Sequence, residues 1–184
     1  MKKLIAVLAV LCLLCASVAA LAEAPAAEEP VAFANGIKFG MDQNDVIAIE
    51  GVPHDMDYDH TAGAVVFSEL EYKNVPDTLF DGAAVDKKYL FVDDKLVAIC
   101  FDIEVRSIAY EKVLEAVAAK GELGELDYGI LGNGIYAIDD NGTLEANMVS
   151  YTDTVHNILI IVELDKDGDD IDVTILDMNA DYLK

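Results

Sequence analysis

The sequence predicts an α+β fold: one antiparallel sheet of about six to seven strands, with two helices packed on one face. Three observations point to it. Two stretches, 42–50 and 107–120, carry helical boundaries and apolar spacing. Several runs rich in Val, Ile and Leu have strand length and are separated by Asp, Asn and Gly. The order helix, strands, helix, strands suggests two loosely similar αβ halves sharing one sheet.

The chain opens MKKLIAVLAVLCLLCASVAALAEA. Lys2 and Lys3 precede an apolar run over 4–14, and small residues follow up to Ala20-Leu21-Ala22. This three-part layout predicts a secretory signal peptide over 1–22, cut before Glu23. The run is shorter than the about 20 residues that span a bilayer, so no stable membrane insertion is expected after cleavage. Lipidation at Cys15 is the competing outcome, but Leu14 stands where a lipobox wants a small residue. A secreted or cell-envelope location follows. Residues 23–34, rich in Ala, Pro and Glu, read as a flexible lead-in. Residues 35–184 then form a single domain of about 150 residues, enough for a real core.

The first helix lies in FGMDQNDVIAIEGVP, residues 39–53. Asp42 suits the N-cap and Asp45 the N3 position of a capping box. Met41 and Val46 occupy the positions of a hydrophobic staple. Gly51 can take a left-handed closing conformation, and Pro53 cannot continue a helix. The stretch therefore predicts a helix of fixed length over about 42–50, docked by Val46, Ile47 and Ile49.

Strands follow. AVVFSELEY is β-prone, and KKYLFVDDKLVAICFDIE reads as a hairpin around Asp93-Asp94. In its second arm Val97, Ile99, Phe101 and Ile103 share one face, and Leu96, Ala98 and Cys100 the other. A strand apolar on both faces belongs in the middle of a sheet. The second helix is expected over 107–120, with Ser107 as cap and an apolar stripe of Tyr110, Val113, Leu114, Val117 and Ala118. YGILGNG then reads as a flexible connection, since it matches no phosphate-binding pattern. Four more strands are expected at 135–138, 143–150, 155–164 and 171–177, the first two joined at Asp140-Asn141-Gly142. NILIIVEL is apolar on both faces and should be central.

The Gly-Met opening and Gly-x-Pro closing of the first helix are similar to the small outer-membrane lipoproteins called SmpA/OmlA. They also resemble the β-lactamase-inhibitor-protein-like (BLIP-like) domains. The F-x-x-x-K-L step at Phe91 to Leu96 and VLEAVAAKGE extend the resemblance, which covers 37–104 best. It implies a non-enzymatic exported domain that binds proteins or serves assembly in the envelope. Trp is absent and aromatics are 8%, so the aromatic target-binding surface of the inhibitors does not carry over.

Charge narrows the partners. The full chain has a formal charge of −23, and signal cleavage removes two lysines and no acid. Such a chain repels phosphate backbones, which excludes nucleic acid, and anionic lipid surfaces as well. The permitted partners are cations, basic proteins and neutral ligands. Of three cysteines, Cys12 and Cys15 leave with the signal. Cys100 cannot form an internal disulfide alone and reads as a small buried hydrophobe.

Candidate chemistry is thin. HDMDYDH, residues 54–60, holds two histidines among carboxylates, but in extended chain these lie about 20 Å apart. DKDGDDID, residues 165–172, departs from an EF-hand because Gly168 is fourth and Leu176 stands at position twelve. It reads as a hairpin turn, with weak calcium binding by Asp165, Asp167 and Asp169 as the alternative. His156 is expected in a strand as a satisfied residue. With 35 acidic residues no carboxylate pair stands out for hydrolysis, and G-x-S-x-G and H-E-x-x-H are absent. The sequence therefore predicts no enzyme and no bound cofactor. It predicts an exported protein-binding or envelope-assembly domain, with an extracellular calcium-responsive module as the second reading.

Overall fold

The structure is a computed structural model that describes residues 34–62, 65–118, 126–127, 135–138, 144–153, 156–165 and 167–179. The expected signal peptide, nearly all of the lead-in, the YGILGNG connection and the Asp140-Asn141-Gly142 turn fall outside these residues.

The first helix, α1, spans Gln43–Glu50. Asp42 caps it, its Oδ1 accepting from the Asp45 N–H at 2.9 Å. Gly51 closes it, its N–H donating to the Ile47 carbonyl at 2.9 Å. Val46 is fully buried, and Met41 packs against the same core, as a hydrophobic staple requires.

Four strands follow: β1 (Asp55–Ala62), β2 (Val65–Asp77), β3 (Ala83–Val92) and β4 (Lys95–Glu104). They form an antiparallel meander. Asp93 and Asp94 both adopt positive φ, 49° and 59°, which marks the tight turn expected between β3 and β4. The second helix, α2, spans Tyr110–Ala118. It starts later than the sequence suggests. Ser107 donates its backbone N–H to Glu104 within a turn, and the first helical carbonyl belongs to Ala109. Ser107 is therefore not the cap.

The chain then gives β5 (Leu126–Asp127), β6 (Ile135–Ile138), β7 (Leu144–Asp153), β8 (Ile158–Asp165) and β9 (Asp170–Asp177). Among the described residues the sheet has nine strands, in the order β1-β2-β3-β4-β9-β8-β7, with β5 and β6 both paired to β7. All pairings are antiparallel. The two halves thus meet through the last strand of each, β4 against β9. The α+β class is as the sequence predicts. The sheet is wider than expected because the acidic stretch after Pro53 pairs as β1 and the short β5 joins β7.

Both helices serve one face. Val46, Val113 and Val117 pack in a cluster with Ile99, Phe101, Ile103, Ile160, Val162, Val173 and Ile175. A second cluster, with Phe67, Leu90, Cys100, Leu159, Ile161 and Leu176, lies on the reverse face and contains no helical residue. Burying each such side chain stabilises by about 1.5–3 kcal/mol. One alternation is broken. Leu90 pairs with Ala98 but Phe91 with Leu96, so Val97 is an extra residue in β4. This bulge sends Leu96 to the helix-face cluster and Val97, with Ala98, to the reverse face, opposite to strict period-two placement.

Candidate functional site

Alternation along the strands sorts the acids by face. On β3, Val85, Lys87 and Tyr89 point with the helices, so Asp86 and Lys88 point to the reverse face. In register across four neighbouring strands stand Asp86 on β3, Asp102 on β4, Asp172 on β9 and Glu163 on β8. Directly opposed residues in a sheet have Cβ atoms about 4.5–5.5 Å apart, and like charges there oppose folding. Asp102 is exposed and the other three are half-buried. The reverse face holds more acids toward β1, where Asp57 opposes Glu69 and Asp55 opposes Glu71. Lys88 reaches both glutamates, at 3.0 Å from Glu69 and 3.4 Å from Glu71, and Lys73 reaches Glu71 at 3.4 Å. Burial works against the Lys88 charge, and the two glutamates outweigh it, raising its pKa.

The turn between β8 and β9 holds the residues expected to take calcium. Gly168 has φ 76°, as a hairpin turn requires. Asp165 Oδ1 accepts from the backbone N–H groups of Gly168, Asp169 and Asp170 at 2.7, 3.0 and 3.4 Å. Burial disfavours its charge, but the N–H groups of Asp169, Asp170 and Gly168 together hold the carboxyl below its ordinary range. The Asp165 charge in turn pushes Asp169 up. Among the described residues, the group whose oxygens converge within 4.8 Å is Asp165, Asp169 and Asp170. Asp167, placed in the expected set by spacing, is exposed and stands outside that group.

The histidines separate. His54 donates its backbone N–H to the Glu71 carbonyl at 2.7 Å at the start of β1, and His60 lies within the same strand. His156 sits in the β7–β8 turn, not in a strand. Its Nδ1 is 2.7 Å from Oδ2 of the buried Asp153, whose Oδ1 accepts the His156 N–H at 3.1 Å. With both residues three apart, the pair is a local turn clasp. Cys100 is buried, with the Thr174 hydroxyl 3.8 Å from its sulfur. Burial pushes its thiol up to about 12, so it stays protonated at neutral pH.

A buried ionic cluster was not foreseen. Lys87 Nζ lies 2.6 Å from Asp77 Oδ2 and 3.3 Å from Glu50 Oε2, and Lys87 and Asp77 are each 1% exposed. Tyr89 donates to Glu50 at 2.8 Å, and Asn35 donates to the same oxygen at 3.1 Å. Tyr72 donates to the Gly51 carbonyl at 3.0 Å. Asp77 Oδ1 also accepts the Leu79 N–H at 2.7 Å. Glu50 ends α1, where the helix dipole opposes a negative charge; Lys87 offsets that. The cluster fastens α1 to β3, with Lys87 and Asp77 buried and Glu50 half-buried beside the exposed Asn35.

Comparison with models of known families, with curated proteins and with solved structures finds no match to this chain. Among the described residues, no helix is long and apolar enough to cross a membrane.

Proposed function

We propose that the chain is an exported, non-catalytic protein-binding or envelope-assembly domain that receives a basic partner. The observation that carries this reading is the row Asp86, Asp102, Asp172 and Glu163, set in register on the face without helices. Asp86 also accepts the Asn74 N–H at 2.7 Å, and the row as a whole attracts a cationic partner, which relieves the mutual repulsion of its carboxylates on binding. The reading draws further support from the −23 charge, the signal-like N-terminus and the resemblance to BLIP-like and SmpA/OmlA domains. A non-catalytic role is favoured because the buried Lys87, Glu50 and Asp77 hold one another and the Cys100 thiol is protonated. The test is capture of partners from extracellular or envelope fractions over a range of ionic strength. Binding that weakens with salt, and weakens again in Asp102→Asn/Asp172→Asn, is expected. Capture of no protein at any ionic strength overturns the reading.

A second reading, a calcium-responsive module, is favoured by the converging oxygens of Asp165, Asp169 and Asp170. Thermal melts in chelator and in millimolar calcium test it, and superimposable curves remove it.

A further inference from the structure

The large apolar side chains that the fold leaves exposed are concentrated in one stretch of chain. Among the described residues they are Ile49, Val52, Met56, Tyr58 and Val66, with Val52 at 90% exposure. All lie from the last turn of α1 to the first residues of β2. Met56 pairs with Leu70, a helix-face core residue, so Met56 projects on the helix side. The Tyr58 hydroxyl lies 3.6 Å from the Met56 sulfur, and Val66 shares the face of Leu70 by alternation. Beside them, β1 is the first strand of the sheet order, and among the described residues no strand pairs with its outer side. An edge strand presents N–H and C=O groups to an extended chain that approaches; in β1 the Met56 N–H also donates to Asp55 Oδ1 at 2.9 Å, and the register breaks between Asp57 and His60.

We infer that β1 is a docking edge for an extended segment of a basic partner protein, which adds to the sheet as a further antiparallel or parallel strand. Chemistry specifies the segment. Its side chains on the helix side are apolar and meet Met56, Tyr58 and Val66. Those on the reverse side are Lys or Arg and meet Asp55 and Asp57, which alternate with Met56 and Tyr58. The same carboxylates disfavour a second copy of this chain as occupant, because strand-to-strand pairing of two β1 edges brings the acids of one copy against those of the other. This inference rests on the basic-partner reading but uses a different surface from the Asp102–Asp172 row.

The probe is a capped eight-residue peptide of alternating lysine and valine, matched to the length of β1. Its control is the same peptide methylated at every backbone nitrogen, which keeps the charges and removes the N–H donors. Binding is read by fluorescence anisotropy, and its location by hydrogen exchange of the full-length exported chain. The unmethylated peptide is expected to slow exchange in 55–62 and to bind about tenfold more tightly than its control. Met56→Lys/Tyr58→Lys, at exposed positions, is expected to weaken it by a similar factor, while Asp102→Asn/Asp172→Asn leaves the β1 protection in place. Equal binding of both peptides, or protection confined to β3, β4, β8 and β9, overturns strand addition and leaves the basic-partner reading standing. Binding of neither peptide overturns the β1 edge as a docking site, whereas the basic-partner reading falls only on the capture experiment.

Discussion

Lys87 Nζ stands 2.6 Å from Asp77 Oδ2, with both side chains 1% exposed. Glu50 completes the cluster from the end of α1, 3.3 Å away. Removing the cation alone leaves the buried Asp77 and the half-buried Glu50 without their counter-charge. Lys87→Met is therefore expected to destabilise by about 3–5 kcal/mol in urea unfolding. Replacing all three together, Lys87→Met with Glu50→Gln and Asp77→Asn, keeps acceptors for Tyr89 and Leu79 and should recover most of that loss. A single-variant loss below about 1 kcal/mol would mean that water reaches the cluster.

Gly51 has φ 90° and ψ −163°, a region that side chains exclude. A Cβ there would meet no atom within 4 Å, so the penalty is in the backbone and not in crowding. Gly51→Ala is expected to cost about 1–3 kcal/mol. The carbonyl of Gly51 takes the Tyr72 hydroxyl, so the same variant should expose Tyr72 to quenchers.

Much of this architecture was legible in the chain. The α1 boundaries followed from Asp42, Gly51 and Pro53, because caps and breakers act locally. The β3–β4 and β8–β9 hairpins followed from Asp93-Asp94 and Gly168 for the same reason. The Val97 bulge was not legible, since it depends on register with Leu90 rather than on any local residue. The buried Lys87 was within reach. Lys87 and Lys88 are adjacent in a strand, so one had to point inward, and Val85 and Tyr89 fix which. Its partners Glu50 and Asp77 were not, because they arrive from other elements. The carboxylate row was hidden for that reason too: Asp86, Asp102, Glu163 and Asp172 are scattered in sequence and meet only through strand order.

Alkali should weaken the helix face before the rest. Burial, with the Glu50 charge adding to it, pushes Tyr72 up to about 12 from an ordinary 10.0. Burial first, then Glu50, raises Tyr89 further still. Between the ordinary value and the raised one, the unfolded chain releases a proton that the folded chain keeps. Stability is thus intact below pH 10 and declines as pH climbs toward 12. Phenolate absorbance should show these tyrosines titrating late, and Tyr72→Phe should flatten its share of the decline.

Cys100 offers a reporter of global opening. Its thiol is buried and protonated, held up at about 12 mainly by desolvation. A disulfide reagent at neutral pH should leave the native protein unmodified. Labelling should rise through the urea transition with the same midpoint as the circular dichroism signal. Labelling well below that midpoint would instead indicate local opening of β4.

Asp172 separates the demands of folding from those of binding. It opposes Asp102 on one side and Glu163 on the other. Neutralising it removes two like-charge oppositions, each worth about 0.2–1 kcal/mol at low salt, so Asp172→Asn is expected to gain that much, less whatever its own contact contributes. Screening shortens the reach of these charges, and the gain should shrink as salt rises toward about 1 M. The same substitution should lower affinity for a basic protein partner, because it removes charge from the surface that attracts it. A variant that is both more stable and a weaker binder would tie the carboxylate row to recognition. A variant that loses stability at low salt would show that the contact Asp172 makes outweighs the like-charge oppositions, and the row would then lose its claim as the docking surface.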